Sequence, residues 1–375
     1  MKVCIVGGGH IGTTLAAYIK NRDSSKIVSV YTRRPEKFAA IIKCNDWEQN
    51  ISYEVSLDLV SNNAELAVKD ADIIYIALPH FAVEKAFIDI APYVKDRACV
   101  GVLPGGGGCE FFFHKYFGDA VSLFGFQRVP FTAKLVEYGK ETNLKSWKPY
   151  SVVGTLKRER LDEVCVKIEE CGLKTKQADN YLCIALTPTN PILHTSRTYE
   201  IFHRFCREHE FAVHEKFYVG WTDDASRTLF SMDHELHELL DKIDMMDTST
   251  IRPLTEHYEA PSIEAMTAKI NGIKTFQSVY APMKKSPKDN EMYIADTESR
   301  MFTEDFPWGL IIIRAYCEYF EVEAPTMDKL LMWYSDYMGL EWYVNGKLCG
   351  KDLINTGIPQ NYGVRTKEEL LQCYV

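Results

Sequence analysis

The chain opens on a short apolar run, Val3 to Val6, and after a glycine-rich turn takes up helical spacing through Leu15, Ala16 and Ile19. Similar compact apolar runs in IVSVYTRR (27–34), ADIIYIALP (71–79) and ACVGVLPGGGG (98–108) read as buried parallel strands, the last two running into Pro or Gly loops at a sheet's carboxyl edge. Near residue 186 the period changes. Residues 225–243, 306–320 and 326–338 repeat apolar positions at three and four, which predicts helices. The pattern therefore predicts an α/β Rossmann-type domain with a doubly wound parallel sheet over 1–186, followed by an all-α domain over 187–375. With no repeat, low-complexity tract or long linker between them, the two domains are expected to share an interface with a cleft.

Bulk properties narrow the class. At 375 residues and 46% hydrophobic, the chain exceeds the roughly 250–300 residues at which one core stops growing. A net charge of -9 without any Lys/Arg block argues against nucleic acid or an anionic membrane as the main partner, and points to small molecules. No apolar stretch approaches the ~18 residues of a membrane span, and no secretion signal precedes the first strand, so a cytoplasmic protein is expected. The 11 cysteines are scattered with no C-x-x-C pair, which favours reduced thiols over disulfides or zinc. A homodimer is left open.

The glycine turn carries the first chemistry. Gly7 permits the tight bend, Gly9 leaves room for a pyrophosphate, and Gly12 allows close packing of helix on strand; with His10 and Ile11 they form a dinucleotide fingerprint in the required strand-to-helix context. About 20 residues further on, where such folds contact the adenosine ribose, Thr32, Arg33 and Arg34 replace the acidic side chain that would repel a 2′-phosphate. That favours NADP, with NAD the other candidate; the bland reading is two solvated loop arginines. Leu78, Pro79, His80 and Gly105–Gly108 are candidates for lining the nicotinamide side, although a glycine run also makes a plain flexible turn.

Two segments of the helical half carry the rest. LTPTNPILHTSRTYEIF (186–202) puts His194 near the start of a helix, and SRMFTEDFPWGL (299–310) brings Arg300, Glu304 and Asp305 together before Pro307. Taken singly, a bonded structural histidine and an acidic helix cap explain them as well. In DHELHELL, His234 and His237 lack the H-E-x-x-H order, so a solvated face is expected there and no metal site.

With these motifs the chain resembles the octopine/nopaline (opine) dehydrogenase family over nearly its whole length: GGGHIG at 7–12, LPGGGG, GFQRVPF, NPILH at 190–194 and RMFTEDFPWGL at 300–310. The resemblance implies a catalytic pair at His194 and Asp305, Arg300 as a ligand for a substrate carboxylate, and Asn190 as a second substrate contact. One departure is His10, where many members carry asparagine. The implied reaction joins an amino acid and a 2-oxo acid as an imine, reduces it with nicotinamide hydride to a secondary amine dicarboxylate, and runs in reverse. In it His194 would be the general acid/base, with Asp305 fixing its tautomer and favouring imidazolium. Two alternatives stand beside it: a dehydrogenase of a simple 2-oxo or hydroxy acid on the same plan, and a non-catalytic NADP-binding redox sensor.

Overall fold

The computed structural model describes residues 1–374. They form two compact units, Met1–Ala185 together with Leu371 onward, and Leu186–Leu370. The first change of unit thus falls at the change of hydrophobic period, while the last residues of the chain group with the first unit rather than the second.

The first unit holds twelve strands: β1 (Lys2–Val6), β2 (Ile27–Tyr31), β3 (Ile42–Asp46), β4 (Ile51–Val55), β5 (Leu59–Ser61), β6 (Ile73–Ile76), β7 (Cys99–Val102), β8 (Ser122–Phe126), β9 (Phe131–Glu137), β10 (Glu141–Trp147), β11 (Ser151–Thr155) and β12 (Thr175–Gln177). Eight make one sheet in the order β12-β11-β8-β7-β6-β1-β2-β5. Every neighbouring pair is parallel except β8 with β11. β6 and β7 are buried at every position, as expected of parallel strands covered on both faces. β1 pairs with β2 on one side and β6 on the other, so the winding reverses beside β1 and the loops after β1 and β6 flank the crevice where such sheets bind ligands.

A second sheet, β4-β3-β10-β9, is not signalled by the sequence pattern. Its strands alternate in and out: Ile42, Cys44 and Asp46 of β3 are buried while Lys43 is exposed. The helix His10–Arg22 packs on this sheet as well, through a 2.5 Å bond between the Thr14 and Thr142 hydroxyls and the Tyr18 ring 4.5 Å from that of Trp147.

The chain end is anchored by a buried polar contact. The Tyr374 hydroxyl donates to Glu110 Oε1 at 2.8 Å, and its ring stands edge-on to Phe111. Glu110 is 2% exposed with Oε2 unpartnered, and burial pushes its carboxyl up to about 7.

The second unit is helical, as the period predicts, with two short hairpins added, Met283–Lys285 with Tyr293–Ala295 and Tyr343–Val344 with Lys347–Leu348. The helix Asp223–Leu240, capped by the Thr222 hydroxyl on the Ala225 N–H, packs against the helices Thr195–Phe202, Ile263–Gly272 and Pro325–Met338. Leu229, Met232, Leu236, Met327, Leu330 and Leu331 are fully buried in this unit. Among the described residues no helix is long and apolar enough to cross a membrane.

Candidate active site

The glycine turn has the geometry its spacing predicts. Gly7 sits at φ +112°, where a side chain is strained, and a Cβ there would lie 2.6 Å from the Ala77 carbonyl oxygen. A Cβ on Gly12 would lie 1.9 Å from the Gly7 oxygen, whereas one on Gly9 would meet nothing within 4 Å. Gly7 and Gly12 are therefore demanded by packing, and Gly9 leaves open space at the start of a helix. These residues fit a dinucleotide pyrophosphate. His10 begins that helix, its Nδ1 accepting from the Leu135 N–H at 2.9 Å, and Ile11 follows half-buried. Leu78 touches the turn, since a Cβ on Gly7 would approach its Cδ2 at 2.9 Å. Beyond Pro79, His80 covers Gly107, and its Nε2 lies 3.2 Å from the Pro104 oxygen. The loops after β6 and β7 thus meet. At the end of β2, Thr32 is buried while Arg33 and Arg34 are exposed.

In the second unit, two distant segments converge through paired wide turns. Thr189–His194 and Phe306–Leu310 are both π-helical, each carrying a proline that lacks the N–H of a regular ladder. The Leu310 N–H closes five residues back on the Asp305 oxygen at 2.9 Å. Gly309 lies against Pro191, where a Cβ would stand 3.1 Å from the ring. This close approach brings His194 Nδ1 to 2.7 Å from Asp305 Oδ2. Both side chains are largely buried, at 16% and 11% exposure. Each stands at the start of a helical segment, but neither side chain makes a capping hydrogen bond there. Burial raises the Asp305 carboxyl, and the facing imidazole works against that shift. Accepting from Nδ1–H, a carboxylate here fixes the tautomer that leaves a lone pair on Nε2.

That lone pair is engaged by a residue that no sequence motif marks. The Tyr218 hydroxyl lies 2.8 Å from His194 Nε2. Tyr218 is 5% exposed, stacked on Phe276 at 4.0 Å, and burial holds its hydroxyl in the neutral, donating form well above the usual tyrosine range. Phe217 stands edge-on to the imidazole at 5.8 Å. Arg197, one turn beyond His194 and 2% exposed, donates from Nε to the Phe217 carbonyl at 3.0 Å and so holds this segment in place. The one signal of the place in the sequence is an aromatic cluster, Phe217 to Trp221, without period.

Arg300 is mostly exposed, and its Nε donates to buried Glu304. Glu304 therefore anchors Arg300. Asn190 is exposed, four residues before His194 on the same wide turn. His234 is exposed beside Glu238, and half-buried His237 lies 4.0 Å from Asp233, so only His234 has the solvated position expected of both.

Residues 177–338 match the family described as NAD/NADP octopine/nopaline dehydrogenase, alpha-helical domain, and the whole chain aligns with curated relatives of that kind. Those residues are thus similar to the helical domain of the octopine/nopaline dehydrogenases. In the first unit, residues 2–105 match the family described as NAD-dependent glycerol-3-phosphate dehydrogenase N-terminus. Tauropine dehydrogenase of Arabella iricolor is 26% identical over 98% of this chain and 99% of its own. Octopine dehydrogenase of Pecten maximus is 24% identical over 99% and 98%. A solved octopine dehydrogenase with NADH and L-arginine has a TM-score of 0.84 at 24% identity, covering 99% of this chain and 98% of that one. A yersinopine dehydrogenase with NADP+ reaches 0.67 at 12%, covering 96% and 98%. The cofactor is of the NAD(P) type.

Proposed function

We propose that this chain is a cytoplasmic, NADPH-dependent opine dehydrogenase that condenses an amino acid with a 2-oxo acid and reduces the imine to a secondary amine carrying two carboxylates, and catalyses the reverse. The observation that carries the reading is the chain Tyr218–His194–Asp305, built from three separate segments of the helical unit characteristic of the family. His194 gives or takes the proton at Nε2, with Tyr218 holding the lone pair until a substrate takes its place. Asp305 orients the imidazole and stabilises its charged form. Arg300, an arginine fork held by Glu304, binds a substrate carboxylate, and Asn190 adds a polar contact on the histidine's own turn. When bound, the nicotinamide supplies the hydride; Gly7, Gly9, His10, Ile11, Gly12 and the Leu78–His80 loop hold the cofactor. The exposed Arg33 and Arg34, with no carboxylate at Thr32, support NADPH over NADH.

The test is an NADPH-oxidation screen of amino acids crossed with pyruvate, 2-oxoglutarate and glyoxylate, with products identified by mass. Oxidation that needs both substrates and yields the secondary amine is the expected result. Equal oxidation without any amine would replace this reading with a simple 2-oxo acid reductase.

A further inference from the structure

The second sheet of the first unit does more than cover a helix. The turn between β9 and β10 places Tyr138 at the adenosine end of the glycine turn. Gly139, at φ +72°, makes that turn possible, and its carbonyl accepts from the Ala39 N–H at 3.0 Å. The Tyr138 hydroxyl lies 2.7 Å from Thr32 Oγ1, at the end of β2. The same hydroxyl would stand 2.5 Å from a Cβ on Gly8, so Tyr138 spans the two strand ends between which an adenosine ribose lies in this class of fold. The Phe38 ring packs edge-on at 5.5 Å and fixes the tyrosine plane. The Arg34 guanidinium lies over the π face of the same tyrosine, 4.4 Å from the centroid. The hairpin is itself tied to the fingerprint helix through His10 with Leu135 and Thr14 with Thr142.

We propose that Tyr138 is a positioning residue for cofactor selection: its ring is the platform that holds the Arg34 guanidinium where it reads a 2′-phosphate. An arginine on an exposed loop loses much rotamer freedom when it clamps an anion; a stacked guanidinium has already given that freedom up and keeps its N–H edge free to donate. Tyr138 thereby supplies from a second sheet what a bare βαβ unit lacks. The inference rests on the NADPH preference proposed above.

The test uses the full chain and reads binding of 2′,5′-ADP against 5′-AMP by calorimetry, so that activity plays no part and any general loosening affects both ligands. Wild type should prefer 2′,5′-ADP, and Arg34→Ala should cut that preference by about ten- to a hundredfold, the scale of a charge-assisted bond. Tyr138→Ala and the bulkier Tyr138→Leu should lose it to a similar degree. Tyr138→Phe should keep it within about threefold, because the ring and not the hydroxyl carries the stack. Arg34→Ala with Tyr138→Leu should be no worse than Arg34→Ala alone, since a platform cannot act without its arginine. A wild type without preference would sink the NADPH reading and this one together. A wild type whose preference survives both Tyr138→Ala and Tyr138→Leu but not Arg34→Ala would sink only the platform, as would a Tyr138→Phe variant that fails like Tyr138→Leu.

Discussion

The glycine turn and the histidine cluster are built in opposite ways. The turn is written in six consecutive residues, Gly7 to Gly12, and each glycine's role follows from one close approach or one open space. The cluster joins His194 to Asp305 across 111 residues and to Tyr218 across 24, and it depends on two wide turns packing at Gly309 and Pro191. A local motif is rigid because its own backbone excludes alternatives. A distributed one is rigid only because the surrounding fold over-determines it.

The largest expected effect tests whether the distributed cluster works as a unit. His194→Ala should lower turnover by about two to four powers of ten, the scale of positioned acid/base catalysis, with cofactor affinity unchanged by fluorescence titration. Asp305→Asn should cost as much or less, and the double variant should be little worse than His194→Ala. Additive losses would mean two independent residues that merely pack. The local motif is tested next by separating its glycines. Gly12→Ala puts a methyl into the Gly7 carbonyl and should lower both thermal stability, by about 1–3 kcal/mol, and cofactor affinity. Gly9→Ala, with open space around it, should leave the melting temperature in place and weaken only the cofactor. Equal melting losses in the two variants would break the assignment.

A smaller effect sharpens the contrast from the other side. Tyr218→Phe keeps the ring on Phe276 but leaves His194 Nε2 without its donor, and stopped-flow kinetics should show turnover down by about tenfold, or roughly 1.4 kcal/mol. Normal turnover would make the hydroxyl a bystander. The smallest effect asks whether the first unit is as local as its motif. Because burial raises Glu110 to about 7, the folded state favours the protonated carboxyl; its contribution is complete below the unfolded value near 4.5 and is lost as pH rises through 7. Melting curves should show wild type losing stability between pH 5 and 8 relative to Glu110→Gln, by at most on the order of 3 kcal/mol. Parallel curves would refute the shifted carboxyl.

Which parts were legible follows from the same contrast. β1, β6 and β7 announce themselves as continuous apolar runs, and the helices Asp223–Leu240 and Pro325–Met338 by their period. The second sheet does not: the charged Lys43, Lys134 and Glu141 interrupt its strands, and its pairing of β3 with β10 spans about a hundred residues that no local pattern links. Glu304 reads as a cap because a carboxylate before a helix usually is one; only the fold reveals that it holds Arg300. Tyr138 and Tyr218 have no spacing to betray them, since each matters through a neighbour that tertiary structure supplies.

Glu110 waits for its partner. Its bond to Tyr374 crosses 264 residues, so the entire helical unit must leave the ribosome before the strand-rich unit receives its closing side chain. Translation order therefore makes this unit begin folding before the helical one and finish after it. A fragment ending at Ala185 would deprive the Glu110 carboxyl of its tyrosine.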